Sequence, residues 1–143
     1  MFTSPQESAG QEKEIYSRIR IVHHWNYFKA LGHTIAVLDT YPYGGCLSTL
    51  DALAHGVPVI SLPSPFVRGR FTLALYRQMG FMECIASSAE DYLQIALKLA
   101  TDSSHREGLR ERLVNAFAQL THHEEAAKEW EAMLLWIAKS AQL

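Results

Sequence analysis

The chain has 143 residues, 48% apolar and 20% charged, the size and composition of one globular domain. A formal charge of −2 and a pI near 6.4 give no electrostatic basis for general binding to nucleic acid or anionic membranes. Two cysteines, Cys46 and Cys84, without CxxC spacing or histidines at zinc-ligand intervals, indicate neither a disulfide framework nor a structural metal and fit a reducing compartment. Residues 1–17 read as a disordered lead-in and 18–143 as the folded part. No N-terminal apolar signal region and no apolar run near the ~18 residues of a membrane span occur, so a cytoplasmic or nuclear chain is expected.

Ile19 to His23 alternates isoleucine and arginine as a short strand does, and Asn26 to Leu31 reads as a brief helix broken by Gly32. The apolar run Ile35 to Leu38, ending at Asp39, has the pattern of a strand buried on both faces of a parallel sheet. After Tyr41-Pro42-Tyr43-Gly44-Gly45 the chain turns. Ser48 or Thr49 can cap a helix from Leu50 to His55, which Gly56 and Pro58 end, and Val57 to Leu62 forms the next buried strand. A helix near Phe71 to Met79 and a short strand at Met82 to Ala86 follow. Three helices close the chain. The first has capping-box spacing at Ser87 to Asp91 and an apolar stripe of Tyr92, Ile95, Ala96 and Leu99. Ser103 or Ser104 opens the second, and the third spans Glu124 to Ala138. Strands alternating with helices predict an α/β domain with a parallel, Rossmann-like sheet and a helical C-terminal side.

The stretch Val37 to Leu53 carries the chemistry: a buried strand, a glycine-containing turn, two hydroxyl residues and a helix whose first turn holds a carboxylate. In an open α/β sheet, ligands bind at the carboxyl ends of strands, where helix N-termini present unpaired N–H groups. Gly44 and Gly45 let a phosphate approach the backbone, Ser48 and Thr49 offer hydroxyl donors, and Asp51 can accept from vicinal ribose hydroxyls. The same residues also suit the ordinary start of a helix in any α/β protein, and the pattern is neither G-x-G-x-x-G nor a P-loop.

This stretch, LDTYPYGGCLSTLDALAHGVPV, resembles the nucleotide-sugar region of the O-GlcNAc-transferase and Spindly-like glycosyltransferases, with an LD-x-(Y/F)-P-(Y/F)-x-G-G segment, small hydroxyl residues, then (D/E)-AL-x-x-G-(V/T)-PV. The resemblance continues through Ser61-Leu62-Pro63, Arg68 to Thr72, Tyr76 to Gly80, Cys84 to Ala86 and Tyr92 to Asp102, covering roughly residues 18 to 138. It implies part of the C-terminal domain of a GT-B fold and inverting, metal-free sugar transfer from a UDP-sugar, such as UDP-GlcNAc, to protein hydroxyls. By the same resemblance, Ser48 and Thr49 hold the pyrophosphate and Asp51 the ribose. Gly44, Gly45, Cys46 and Leu47 form the turn at the phosphates, although Cys46 and Leu47 stand where many members have Gly, His, Asn or Thr. His24 and Tyr27 correspond to positions near the uracil and phosphates.

Alternatives remain at several of these positions. His23, His24 and Trp25 also suit a strand end with partly buried rings. Arg68 and Arg70 suit the phosphates, an acceptor peptide, or solvated charges pairing with Glu83 or Asp91. His122-His123-Glu124-Glu125 reads as a helix start rather than a metal site, because adjacent helical residues point about 100° apart. Trp130, Met133, Leu134, Trp136 and Ile137 recur near helical spacing, a core-facing stripe or, without its partner, an exposed apolar patch.

The resemblance leaves no catalytic residue in this chain. The N-terminal lobe with the acceptor-side groups, the first strand–helix units and the substrate-recruiting tetratricopeptide repeats do not fit within it. The expected role is that of a donor-binding lobe, inactive alone. The other reading is a non-catalytic interaction module or truncated fragment that keeps the fold without binding nucleotide.

Overall fold

The computed structural model describes residues 13–120 and 124–140. Helix α1 (13–18) is exposed and ends with an ion pair between Arg18 and Glu14, so helical structure extends into what reads as a disordered lead-in. Residues 19–23 form no strand. Ile21 is 98% exposed and, among the described residues, no strand pairs with the segment, so its alternation has no sheet face to serve. A single 3-10 turn, His24–Asn26, leads into α2 (Tyr27–Leu31), which stops at Gly32 as expected.

The sheet is small and parallel. β1 (Val37–Leu38) pairs with β2 (Val59–Ile60), Val37 opposite Val59 and Leu38 opposite Ile60. Beyond β2, Ser61 bridges in parallel to Ile85, with Ser61 N donating to Cys84 O at 3.0 Å and Ala86 N to Ser61 O at 2.8 Å. The expected strand at Met82 to Ala86 is thus one bridge, and the two longer strands contract to two residues each. Val59 and Ile60 are buried, but Leu38 is 57% exposed, so β1 is not covered on both faces. An apolar groove of Ile35, Leu38, Ile60, Leu93 and Leu97 opens beside it.

Helix α3 (Leu47–Ala54) follows β1 and α4 (Phe71–Gln78) follows β2, which is the parallel crossover arrangement. Gly56 (φ 67°) and Gly80 (φ 65°) turn the chain out of these helices in the left-handed region that glycine enters without steric cost. The C-terminal side is helical: α5 (Ala89–Thr101), α6 (Ser103–Leu120) and α7 (Glu124–Ser140). Ser88 Oγ caps α5 by accepting from Asp91 N at 3.1 Å, and the Asp91 carboxylate reaches back to Ser87 N and Oγ at 2.8 and 2.9 Å. This is the reciprocal arrangement that the Ser-Ser-x-x-Asp spacing predicts. α6 opens at Ser103, as expected, and Asp102 precedes it with Oδ1 accepting from His105 N at 2.9 Å.

Leu53, Val59, Ile60, Leu99, Leu109 and Leu113 join α3, β2, α5 and α6 in one core. Burying each such side chain stabilises by ~2 kcal/mol. Tyr76 reaches into this core, where its hydroxyl oxygen accepts from Val59 N at 2.9 Å. Burial, with the neighbouring Cys84, drives the Tyr76 hydroxyl far above its ordinary pKa. Burial likewise pushes the Cys84 thiol up to about 12. The stripe on α7 faces no core: every residue of the helix is exposed.

Candidate nucleotide-binding turn

The chain leaves β1 at Asp39, whose carboxylate organises the turn into α3. One oxygen accepts from Gly45 N at 2.7 Å and Thr40 N at 3.1 Å. The other accepts from Ser61 Oγ at 2.6 Å and Thr72 Oγ1 at 2.9 Å. Tyr92 OH donates to the Asp39 carbonyl at 2.9 Å. The carboxylate therefore joins the end of β1, the end of β2 and the first turn of α4 to the close of the turn. No sequence motif gives Asp39, Ser61 or Thr72 a role. The available signal is a carboxylate at the carboxyl end of an apolar strand, a group that must find donors if it is to be even partly buried.

Gly44 and Gly45 are held close. Gly44 N donates to Arg68 O at 3.0 Å, and a Cβ on Gly44 would lie 2.9 Å from Asp39 Oδ2. A Cβ on Gly45 would lie 2.7 Å from both Ser48 Oγ and Thr49 Oγ1. The two hydroxyls thus gather over the bare Cα of Gly45. They do not cap the helix. Cys46 occupies the N-cap position, no side chain caps α3, and Leu47, Ser48 and Thr49 form its opening turn.

The adjacent hydroxyls diverge because helical neighbours point ~100° apart. Ser48 is exposed, whereas Thr49 is 2% exposed and its Oγ1 lies 3.0 Å from Thr72 Oγ1. Thr49 therefore tethers α3 to α4. Cys46 and Leu47 precede Ser48 at the start of the helix, and Leu47 is 74% exposed.

One turn further on, Asp51 is half-buried. It stands close enough to Tyr27 that, with burial as the larger cause, its charge raises the Tyr27 pKa. Tyr27 and Asp51 thus lie within electrostatic range of each other. His55 Nδ1 lies 2.8 Å from the Asp51 carbonyl, and its ring stacks on Phe28 with centroids 5.5 Å apart.

His24 is exposed, its ring 4.3 Å from that of His23 and 4.5 Å from that of Trp25, so these rings are not partly buried at a strand end. Arg68 and Arg70 lie in and just after the 3-10 turn Val67–Gly69. Neither pairs with Glu83, which is bound by Arg112 at 2.6 Å, or with Asp91, which is taken by Ser87. The Arg68 guanidinium instead covers the Phe66 ring at 4.4 Å, while its carbonyl holds Gly44. Gly69 has no room for a side chain, since a Cβ would collide with Ser64 Oγ and the Pro42 carbonyl.

His122 and His123 lie outside the described residues. Among the described residues, no cluster of three or more His, Cys, Asp or Glu could hold a metal ion, and no helix is long and apolar enough to cross a membrane. The turn therefore offers backbone N–H groups at a helix start, an exposed hydroxyl, and a carboxylate one turn away. Such a set suits an anion carrying a vicinal diol.

The chain superposes on a mutant O-GlcNAc transferase of Thermobaculum terrenum with a TM-score of 0.68 and 26% identity, over 93% of this chain and 27% of that one. The fold is that of part of a GT-B glycosyltransferase. Residues 32–126 match the model for glycosyl transferase family 41, and the chain belongs to that family. A probable UDP-N-acetylglucosamine–peptide N-acetylglucosaminyltransferase SPINDLY of Hordeum vulgare is 28% identical over 113 residues, covering 78% of this chain and 12% of the relative. The UDP-N-acetylglucosamine–peptide N-acetylglucosaminyltransferase of Caenorhabditis elegans is 28% identical over 76 residues, 53% of this chain and 7% of the relative. The chain thus spans about an eighth or less of these two relatives.

Proposed function

We propose that residues 18–143 are the donor-binding portion of an inverting protein O-glycosyltransferase. The diphosphate of UDP-GlcNAc, or a related UDP-sugar, sits at the Gly44–Gly45 turn and the start of α3. Ser48 Oγ and the N–H groups of Leu47, Ser48 and Thr49 face the diphosphate, Asp51 accepts from the ribose, and Tyr27 flanks it. The observation that carries this reading is the meeting, at one uncapped helix start, of the two glycines and the exposed Ser48, with Asp51 one turn further along the same helix.

Transfer to a protein hydroxyl requires proton removal from the acceptor and stabilisation of the departing diphosphate. The turn supplies the second through helix-start N–H groups. Asp39 holds the turn through four donors, while Tyr76 and Cys84 are buried in the core and keep their protons well above neutral pH. Acceptor-side chemistry belongs to a second lobe, and recruitment of the protein substrate to the repeats that the family resemblance implies.

Calorimetric titration of UDP into the full chain tests the proposal. Binding is expected in the micromolar to millimolar range, weakened roughly tenfold to a hundredfold by Ser48→Ala or Asp51→Ala, the scale of one hydrogen bond to a charged partner. The chain alone is expected to transfer no sugar from UDP-GlcNAc to peptide. Failure of a folded chain to bind UDP would favour the other reading, a non-catalytic interaction module. The uncovered edge of β1 and the exposed apolar face of α7 support that alternative.

A further inference from the structure

We infer that Asp39 is the positioning residue of this turn: its carboxylate sets the shape in which Gly44, Gly45 and the start of α3 meet a diphosphate. What the turn binds rests on the donor-binding reading; how the turn is held does not. Four donors converge on the two carboxylate oxygens from four places in the fold: Thr40 N beside it, Gly45 N at the close of the turn, Ser61 Oγ after β2 and Thr72 Oγ1 in α4. Thr72 then contacts Thr49 in α3. Asp39 thereby links the turn directly to β2 and α4, and through Thr72 to α3.

Two further contacts leave little freedom. Tyr92 OH fixes the Asp39 carbonyl, and the missing side chain of Gly44 lets Oδ2 approach the backbone more closely than any Cβ would permit. The carboxylate also lies between the starts of α3 and α4, where the helix dipoles favour a negative charge.

That charge is a liability toward a diphosphate, so the useful property must be geometric. Asparagine separates the two effects. Its oxygen can accept from Gly45 N and Thr40 N, and its amide can donate to the Ser61 and Thr72 oxygens, reproducing all four contacts without the charge.

The experiment pairs UDP and uridine titrations with amide hydrogen exchange by NMR on the full chain carrying Asp39→Asn or Asp39→Ala. Asp39→Ala is expected to weaken UDP about tenfold or more, with little change for uridine, and to speed exchange at the Gly45 amide about tenfold. Asp39→Asn is expected to restore UDP affinity to within about threefold of the parent and to keep Gly45 protected. Equal UDP affinity and equal Gly45 exchange in the parent and the alanine variant would overturn the inference. Should the parent bind no UDP, the donor reading falls, and Gly45 exchange alone decides the role of Asp39. If the alanine variant does not fold, Ser61→Ala combined with Thr72→Val removes two of the four donors. Unchanged Gly45 exchange there would overturn the inference equally.

Discussion

Gly45→Ala places a methyl group where the chain has brought two hydroxyls together. The new Cβ would sit 2.7 Å from Ser48 Oγ and 2.7 Å from Thr49 Oγ1, roughly 0.6 Å or more inside ordinary carbon–oxygen contact. Ser48 is exposed and can rotate away, but Thr49 is buried and held against Thr72 at 3.0 Å. The strain therefore falls on Thr49 and on the α3–α4 tether. Overpacking of this kind costs ~1–3 kcal/mol, which for a chain of this length lowers the melting temperature by roughly 3–9 °C.

Thr49→Ala removes the immovable oxygen, so the same glycine substitution in that background is expected to cost no more than about half as much. A double-mutant cycle followed by far-UV circular dichroism during thermal unfolding measures the difference. An identical Gly45→Ala penalty in both backgrounds, within about 0.3 kcal/mol, would refute the reasoning, because it would show that Thr49 does not resist the methyl group.

Tyr76→Phe deletes only the oxygen that accepts from Val59 N in the core, and the orphaned amide is expected to cost ~1–3 kcal/mol in urea unfolding. Ser88→Ala removes the N-cap of α5 and is expected to cost ~1 kcal/mol in the same assay. The Arg112 guanidinium holds the Glu83 carboxyl below its ordinary range. Its stabilising contribution is thus full above the unfolded value of about 4.3 and lost as pH falls through the lowered folded value. Both side chains are about half exposed, so the effect is small and fades with salt. Glu83→Gln should flatten the acid limb of stability only slightly, and only at low ionic strength. Thiol titration at neutral pH should label the exposed Cys46 and leave Cys84 until the chain unfolds, since burial holds its pKa near 12.

The helices were the most legible part of the chain because their signals are local. Gly32 and Gly56 end helices where expected, and the Ser-Ser-x-x-Asp spacing forms the predicted cap of α5. The strands were less legible. An apolar run such as Val57 to Leu62 reports burial, but pairing needs a neighbour, and only Val59, Ile60 and the Ser61 bridge find one. Ile19 to His23 shows the same limit more sharply, alternating like a strand with nothing among the described residues to pair against.

At the turn, the glycines and hydroxyls could be read from spacing, and the structure does gather them. Which hydroxyl turns inward could not, because the helix starts at Leu47, ahead of both, with Cys46 before it and no capping side chain to mark it. Asp39 was hidden for a different reason: its partners Ser61 and Thr72 are 22 and 33 residues away and carry no pattern linking them to it.

The chain's three tryptophans, Trp25, Trp130 and Trp136, are 83%, 63% and 68% exposed, so indole emission comes from water-facing rings while the packed interior holds tyrosine and aliphatic side chains. Loss of the core should barely alter that emission. Anything that seats against α7 should shift it blue and brighten it, which makes the protein an intrinsic optical reporter of contact at its C-terminal helix and a poor one of its own unfolding.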